Sequence, residues 1–323
     1  VQETMIMFNK NIHLLALLTA LFFWSCTKLV AAVPVCADPQ ATLLWQVTNA
    51  QMARKGVNLH LFGSIHVGKA DFYPLHPLIE TEFRNADHLV FEIDPAVAAS
   101  PQVAMNVQMR GMLPTGQRLQ DIVSVATYTN LQLVLANLGI PEASVLNFKP
   151  WLLALLLTNV QSSAMGYSAD DGLEMYFTDH KSPHSSTLEL ESMEQQLSML
   201  DSLNPEIFLT YTINEIRSSS EQLDELVNAW RCADKEKLAA LLFADLENVQ
   251  KLPAREQELV RELYKGMFTE RNLVMAKGIE DFIDVGSGSY FVVIGAGHLV
   301  GPGSVVELLQ NQGYQVTPVS VSP

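Results

Sequence analysis

The stretch Leu59-His60-Leu61-Phe62-Gly63-Ser64-Ile65-His66 decides how the rest of the chain folds. It is an apolar run, broken only by His60, that stops at a glycine. Such a run reads as a buried strand of a parallel sheet. Near the other end, Phe291-Val292-Val293-Ile294-Gly295-Ala296-Gly297-His298 repeats the device: an apolar run, then Gly-x-x-His. Ligands of open α/β sheets bind outside the carboxyl ends of the strands. Each histidine sits just past such an end, on a turn that glycine lets pass close to a bound group. Two imidazoles delivered by one device point to one shared site.

Outward from the first stretch, Leu43-Leu44-Trp45-Gln46-Val47 reads as a neighbouring strand, with the polar residues around Arg54-Lys55-Gly56 as the turn between them. Leu75, Leu78, Ile79 and Phe83 recur at helical spacing, so residues 77–86 form an amphipathic helix. Leu89-Val90-Phe91-Glu92-Ile93-Asp94 is the next strand, ended by Pro95. Strand, helix, strand makes a βαβ unit. From about residue 98 to 285 the pattern is helical, including a strongly apolar helix opened by Pro150. Within that block, residues 186–191 read as one short strand. A strand at 291–294, a helix at 305–311 and a closing strand at 314–319 finish the chain. The expected fold is α/β: a mixed central sheet formed by N- and C-terminal strands, with a large helical insertion, in a single domain over residues 38–323.

The N-terminus carries a targeting pattern. Lys10 precedes an almost wholly apolar run from Ile12 to Trp24, too short to span a membrane comfortably and of signal-peptide proportions. Cleavage is expected after Ala37, making residues 1–37 the signal peptide; a cut after Ala32, an uncleaved anchor and a lipidated Cys26 are the alternatives. The protein is then exported, periplasmic or secreted, with no stable membrane span left after cleavage. Of the three cysteines, only Cys232 survives a cut after Ala37, so no disulfide framework is expected. A cut after Ala32 would leave Cys36 as a possible partner. The net charge of −15 argues against nucleic acid and anionic membrane surfaces as partners.

Glu92 closes the strand after the first histidine motif. That strand reads as the neighbour of the first, and parallel neighbours finish on one edge, so Glu92 is expected beside His66. Two neutral imidazoles and a carboxylate, His66, His298 and Glu92, form the ligand set of hydrolytic sites that keep a coordination position open. A divalent cation there polarises a carbonyl and acidifies water. The expectation is that the two ring nitrogens and a Glu92 oxygen approach within roughly 4 Å of one another. Glu92 serves as ligand or as base.

This constellation resembles the TraB/PrgY/GumN family, which includes the Tiki proteases. The resemblance rests on Gly63-Ser64-Ile65-His66, Phe91-Glu92-Ile93-Asp94, Arg271-Asn272 and Gly295-Ala296-Gly297-His298. In the middle it rests on Gly172-Leu173-Glu174 and Leu190-Glu191-Ser192-Met193-Glu194-Gln195, with Leu44-Trp45-Gln46-Val47 as the opening strand. Glu174 departs from the aspartate usual there. The resemblance implies a metal-dependent peptidase using manganese or cobalt, zinc being admitted by the ligand set, and a more distant likeness to erythromycin esterase and haem-binding ChaN-like folds. The expected function is a metal-dependent hydrolase acting on a peptide or protein substrate. The alternative is a peptide- or haem-binding protein that uses the same cleft without turnover.

Arg271 has two readings: a group that holds a substrate carboxylate or a developing oxyanion, or a structural salt bridge. Glu191 orients a histidine, acts as general base, or caps the helix that follows it. His60 reads as a strand-face residue, and Met105, Met109 and Met112 as core or groove lining.

Overall fold

A computed structural model describes Cys36, residues 42–218 and residues 220–320. The targeting run, both cleavage positions and Cys26 lie outside these residues. Six strands form one sheet: β1 (Leu44–Thr48), β2 (Val57–Ser64), β3 (His88–Phe91), β4 (Ser186–Glu189), β5 (Gly288–Gly295) and β6 (Gln315–Pro318). Their order across the sheet is β4-β3-β5-β2-β1-β6. The pairs β4–β3, β3–β5 and β5–β2 are parallel; β1 runs antiparallel to both β2 and β6. The sheet is mixed, as expected, and is built largely from the two ends of the chain.

Two local expectations are corrected. The β1–β2 connection is a helix, α1 (Ala50–Lys55), and no simple turn: Asn49 caps its start by accepting from Met52 N, and Gly56 at φ +70° ends it. The strand carrying Glu92 is not the neighbour of β2. β5 lies between them, with Phe62 opposite Val293 on one side and Phe91 opposite Val293 on the other.

Helices cover the sheet and extend beyond it. α2 (Pro77–Arg84) links β2 to β3; α3 (Pro95–Ala98) begins at the proline expected to end β3, which in fact closes at Phe91. The insertion holds α4 (Pro101–Gly111), α5 (Val125–Asn137), α6 (Pro150–Ala164) and α7 (Leu173–His180) before β4. After it come α8 (Met193–Ser202), α9 (Pro205–Ser218), α10 (Ser220–Arg231), α11 (Lys235–Leu242), α12 (Ala244–Glu247), α13 (Ala254–Tyr264) and α14 (Glu270–Val285). A π-helical turn, Lys265–Thr269, joins α13 to α14. α15 (Val305–Asn311) precedes β6, with the bounds read from the sequence. No helix among the described residues is long and apolar enough to cross a membrane.

The main core lies against the sheet, where Leu59, Leu61, Leu89, Val90, Phe291, Val292 and Ile294 have no measurable exposure. Each such side chain contributes about 1.5–3 kcal/mol by leaving water. This is why β2, β3 and β5 read as unbroken apolar runs. A second core, around Leu119, Leu131, Leu153, Leu157, Leu209 and Ile213, sits among α5, α6 and α9 within the insertion. Met105 and Met109 on α4 are 52% and 60% exposed, so that stripe lines a surface. His60 is a buried strand-face residue whose Nδ1 lies 3.3 Å from Glu82.

Cys36 and Cys232 form a disulfide. This corrects the expectation that none exists. The bond requires a chain that still carries Cys36, which a cut after Ala37 would remove and a cut after Ala32 would retain.

Candidate active site at the carboxyl edge of the sheet

Four parallel strands end side by side, and each delivers a residue. His66 follows β2, His298 follows β5 on a short 3₁₀ turn (Ala296–His298), Glu92 follows β3, and Glu191 follows β4. Parallel strands share one carboxyl edge, so these side chains rise from a single rim. Backbone bonds fix the spacing. Glu191 N donates to Glu92 O at 2.8 Å, and Leu190 N to Phe91 O at 2.9 Å.

Arg271 arrives from α14 and binds the two carboxylates together. Its Nη2 donates to Glu92 Oε2 at 2.6 Å and to Glu191 Oε2 at 2.7 Å, and its Nε donates to Glu191 at 3.0 and 3.1 Å. The guanidinium is buried, and the contact with Glu191 has the fork geometry that arginine makes with carboxylates. Nε and Nη2 of Arg271 are thus engaged in a salt bridge to both carboxylates, while Nη1 reaches Met267 O at 3.5 Å. Glu191 is likewise committed: Gln196 donates to its Oε2 at 3.1 Å, which leaves it an anchor for Arg271 rather than a free base.

Glu92 Oε1 accepts from Gly295 N at 2.6 Å and lies 3.9 Å from His298 Nε2. Burial pushes the Glu92 carboxyl up, but the charges of His298, Arg271 and His66 and the Gly295 N–H outweigh it and hold the group down at about 2. Burial dominates for His298. It lowers the ring to about 4 against the pull of Glu92, so His298 is neutral at physiological pH. His298 Nδ1 lies 2.6 Å from Asn272 Oδ1, and Phe268 from the π-turn covers the ring at 5.4 Å.

His66 is held differently. Its Nδ1 is 3.0 Å from Glu174 Oε1, which also accepts from Ser64 Oγ at 2.6 Å. The side chain is 69% exposed, with Glu174 and Glu92 the acidic groups that act on it. Glu174 is the main cause of a pKa raised to about 9, opposed by desolvation and by Arg271. The two rings are thus displaced in opposite directions, His298 downward by burial and His66 upward by Glu174. Glu174 itself, although burial pushes it up, is held below the usual carboxylate range by His66 and Ser64. Its helix is seated on the His66 loop: Leu173 N donates to Ile65 O at 3.4 Å, and a Cβ on Gly172 would stand 2.3 Å from His66 O.

The three expected ligands face one small space. A methyl carbon at Gly295 would lie 3.2 Å from Glu92 Oε1, 3.6 Å from His298 Cδ2 and 3.8 Å from His66 Nε2. Glycine leaves that space open. The pair His298–Glu92 meets the expected 4 Å; among the described residues, however, no three His, Cys, Asp or Glu side chains stand at the spacing of a formed metal centre. Sequence reasoning left Glu174 in doubt and gave Asn272 no role. The signals for them were a glutamate at the start of a helix and an asparagine beside Arg271.

The TraB/PrgY/gumN family model matches residues 43–318. The chain belongs to this family. Among its relatives, "Uncharacterized protein YbaP" of Escherichia coli (strain K12) is 26% identical over 257 residues, covering 78% of this chain and 88% of YbaP. "Metalloprotease TIKI2" of Xenopus tropicalis is 23% identical over 334 residues, covering 88% of this chain and 61% of the relative. "Metalloprotease TIKI1" of Homo sapiens is 25% identical over 308 residues, covering 80% and 59% respectively. The chain spans about three fifths of the length of these two metalloproteases. No solved structure matches it. All the strands and helices that build the rim lie within the TraB/PrgY/gumN match.

Proposed function

We propose that this protein is a metal-dependent hydrolase, of the peptidase type, working at the carboxyl edge of its sheet. The observation that carries the reading is the convergence of His66 Nε2, Glu92 Oε1 and the His298 ring on the space left open by Gly295. Two imidazoles and a carboxylate suit zinc, manganese or cobalt. The metalloprotease names of the TIKI relatives support the same class of chemistry. A divalent cation, when bound, supplies a Lewis acid for a peptide carbonyl.

The chain's own residues set up the cleft. Glu174 takes Nδ1 of His66, which turns Nε2 toward the shared space. Arg271, anchored by Glu191, holds one oxygen of Glu92 and so keeps the other facing His298. The His66 Nε2 proton would be displaced by a cation bound there, whose own charge would offset the carboxylates of Glu92, Glu191 and Glu174. Export into an oxidising compartment is part of this proposal, supported by the Cys36–Cys232 bond.

The test is metal analysis and peptide cleavage by protein stripped with chelator and reloaded with each of the three metals. Metal content and cleavage are expected to fall together in His66→Ala and His298→Ala. Unchanged metal content and activity in both variants would end the reading. A second reading, binding of a peptide or haem without turnover, is favoured by one observation: Nε and Nη2 of Arg271 are engaged by Glu92 and Glu191 and so are not offered to an oxyanion. It is supported if peptide binds saturably, or haemin gains a protein-dependent absorbance, with no cleavage products under any metal.

A further inference from the structure

His298 can present a ligating nitrogen to the cleft only if its proton sits on the other one, and the structure holds a device that decides this. We propose that Asn272 is a positioning residue that fixes His298 as the Nδ1–H tautomer, leaving Nε2 as a lone pair facing Glu92.

Gly303 lies five residues past the end of the 3₁₀ turn, just before α15. Gly303 N donates to Glu307 Oε2 at 2.6 Å, at the start of α15, which fixes that peptide in place. Its carbonyl oxygen accepts from Asn272 Nδ2 at 2.8 Å. A backbone carbonyl can only accept, so the amide of Asn272 has one orientation, with Nδ2 toward Gly303 and Oδ1 toward His298. An oxygen of an amide can only accept in its turn. His298 Nδ1, 2.6 Å away, must therefore donate.

The opposite tautomer would set the lone pair of Nδ1 against Oδ1 at hydrogen-bond distance, while Glu92 Oε1, 3.9 Å from Nε2, is too far to hold a proton there by a hydrogen bond. Asn272 is 3% exposed and His298 5% exposed, so water does not replace these partners readily. Among the described residues the hydrogen-bond partner of the ring is Asn272 at Nδ1, and Nε2 lies on the side of Glu92 Oε1. Asn272 at the start of α14 holds the ring, and Phe268, four residues earlier in the π-helical turn, packs against it at a tilt. The tautomer stands on these bonds alone; its use, presenting a metal-ligating nitrogen, rests on the function proposed above.

The experiment is ¹⁵N NMR of the imidazoles in metal-free full-length protein, with the His298 signals identified by their loss in His298→Gln. The wild type is expected to show a protonated Nδ1 and an unprotonated Nε2. Asn272→Leu, which keeps side-chain volume and removes the acceptor, is expected to move His298 into a mixture of tautomers or to Nε2–H, while the His60 and His88 signals stay in place. Asn272→Asp, which keeps an acceptor oxygen, is expected to retain Nδ1–H. A wild-type His298 protonated on Nε2, or an Asn272→Leu protein that remains purely Nδ1–H, overturns the proposal. Should Asn272→Leu fail to fold, the wild-type spectrum decides. Zinc affinity separates the two levels: a loss of about 10–100-fold is expected in Asn272→Leu and a much smaller one in Asn272→Asp. A wild type that binds no metal yet shows the Nδ1–H tautomer removes the proposed function and leaves the role of Asn272 intact.

Discussion

Single residues at the rim carry more constraint than their charges suggest. Arg271 compensates two buried carboxylates at once, so Arg271→Ala leaves Glu92 and Glu191 facing each other without a cation. The expected cost is about 3–5 kcal/mol, read as a lower urea midpoint, with Arg271→Lys intermediate because an ammonium cannot reproduce the fork. A loss below ~1 kcal/mol in Arg271→Ala would show that the clamp is not structural. Gly172 is constrained from the other side of the cleft. A Cβ there meets His66 O at 2.3 Å and Ala169 O at 2.8 Å, both backbone atoms that cannot rotate away. Gly172→Ala is expected to lower Tm and cost at least ~2 kcal/mol, and to weaken metal loading by moving the His66 loop. An unchanged Tm would show that the loop gives way freely. At this scale the sequence was legible where a residue type has one common use: His66, His298 and Glu92 were named from spacing and strand ends. Asn272 was not, because an asparagine in a helix has no periodic signature and its meaning lies in a carbonyl at Gly303.

Elements are tied together by polar side chains set between them. Asp201, in the last turn of α8, accepts from Lys149 at 2.7 Å, Trp151 Nε1 at 2.8 Å and Arg110 at 3.0 Å, joining α8 to α4 and to the start of α6. Burial pushes its carboxyl up, but the bonds from Lys149, Trp151 and Arg110 hold it below its usual value of 3.8. A depressed acid contributes stability that is present above its unfolded pKa and lost as the pH falls through its folded one. Wild type is expected to exceed Asp201→Asn by about 1–3 kcal/mol at neutral pH, and this difference should vanish once the pH drops well below 3.8. Urea titrations of both proteins at neutral and strongly acid pH check it; a difference that persists in acid would detach Asp201 from the linkage. Periodicity located most of these elements, α6 from Pro150 and α15 from its apolar spacing among them. It missed α1, a short helix whose signals were local: Asn49 at its cap and Gly56 at positive φ.

Across the whole molecule, the Cys36–Cys232 bond joins the segment that leads into β1 to the end of α10. Two residues earlier, Trp230 Nε1 donates to Gly63 O at 2.8 Å, and Arg231 pairs with Asp71 in the loop after His66. The cross-link therefore secures the helix end that holds the first histidine loop. Reductant, or Cys232→Ser, is expected to cost about 2–5 kcal/mol of unfolding free energy, and reductant should leave Cys232→Ser unaffected. Equal unfolding curves for oxidised and reduced wild type would refute this. Strand order was the part of the fold least legible beforehand. β2, β3 and β5 are each mostly apolar and read alike, and nothing local says which pairs with which. Because β5 separates β2 from β3, the strand that joins the two halves of the sheet is translated after the whole helical insertion. A nascent chain that stops short of Gly288 already holds His66, Glu92 and Glu174 but lacks β5 and His298. Completion of the rim thus waits on translation of the β5 segment.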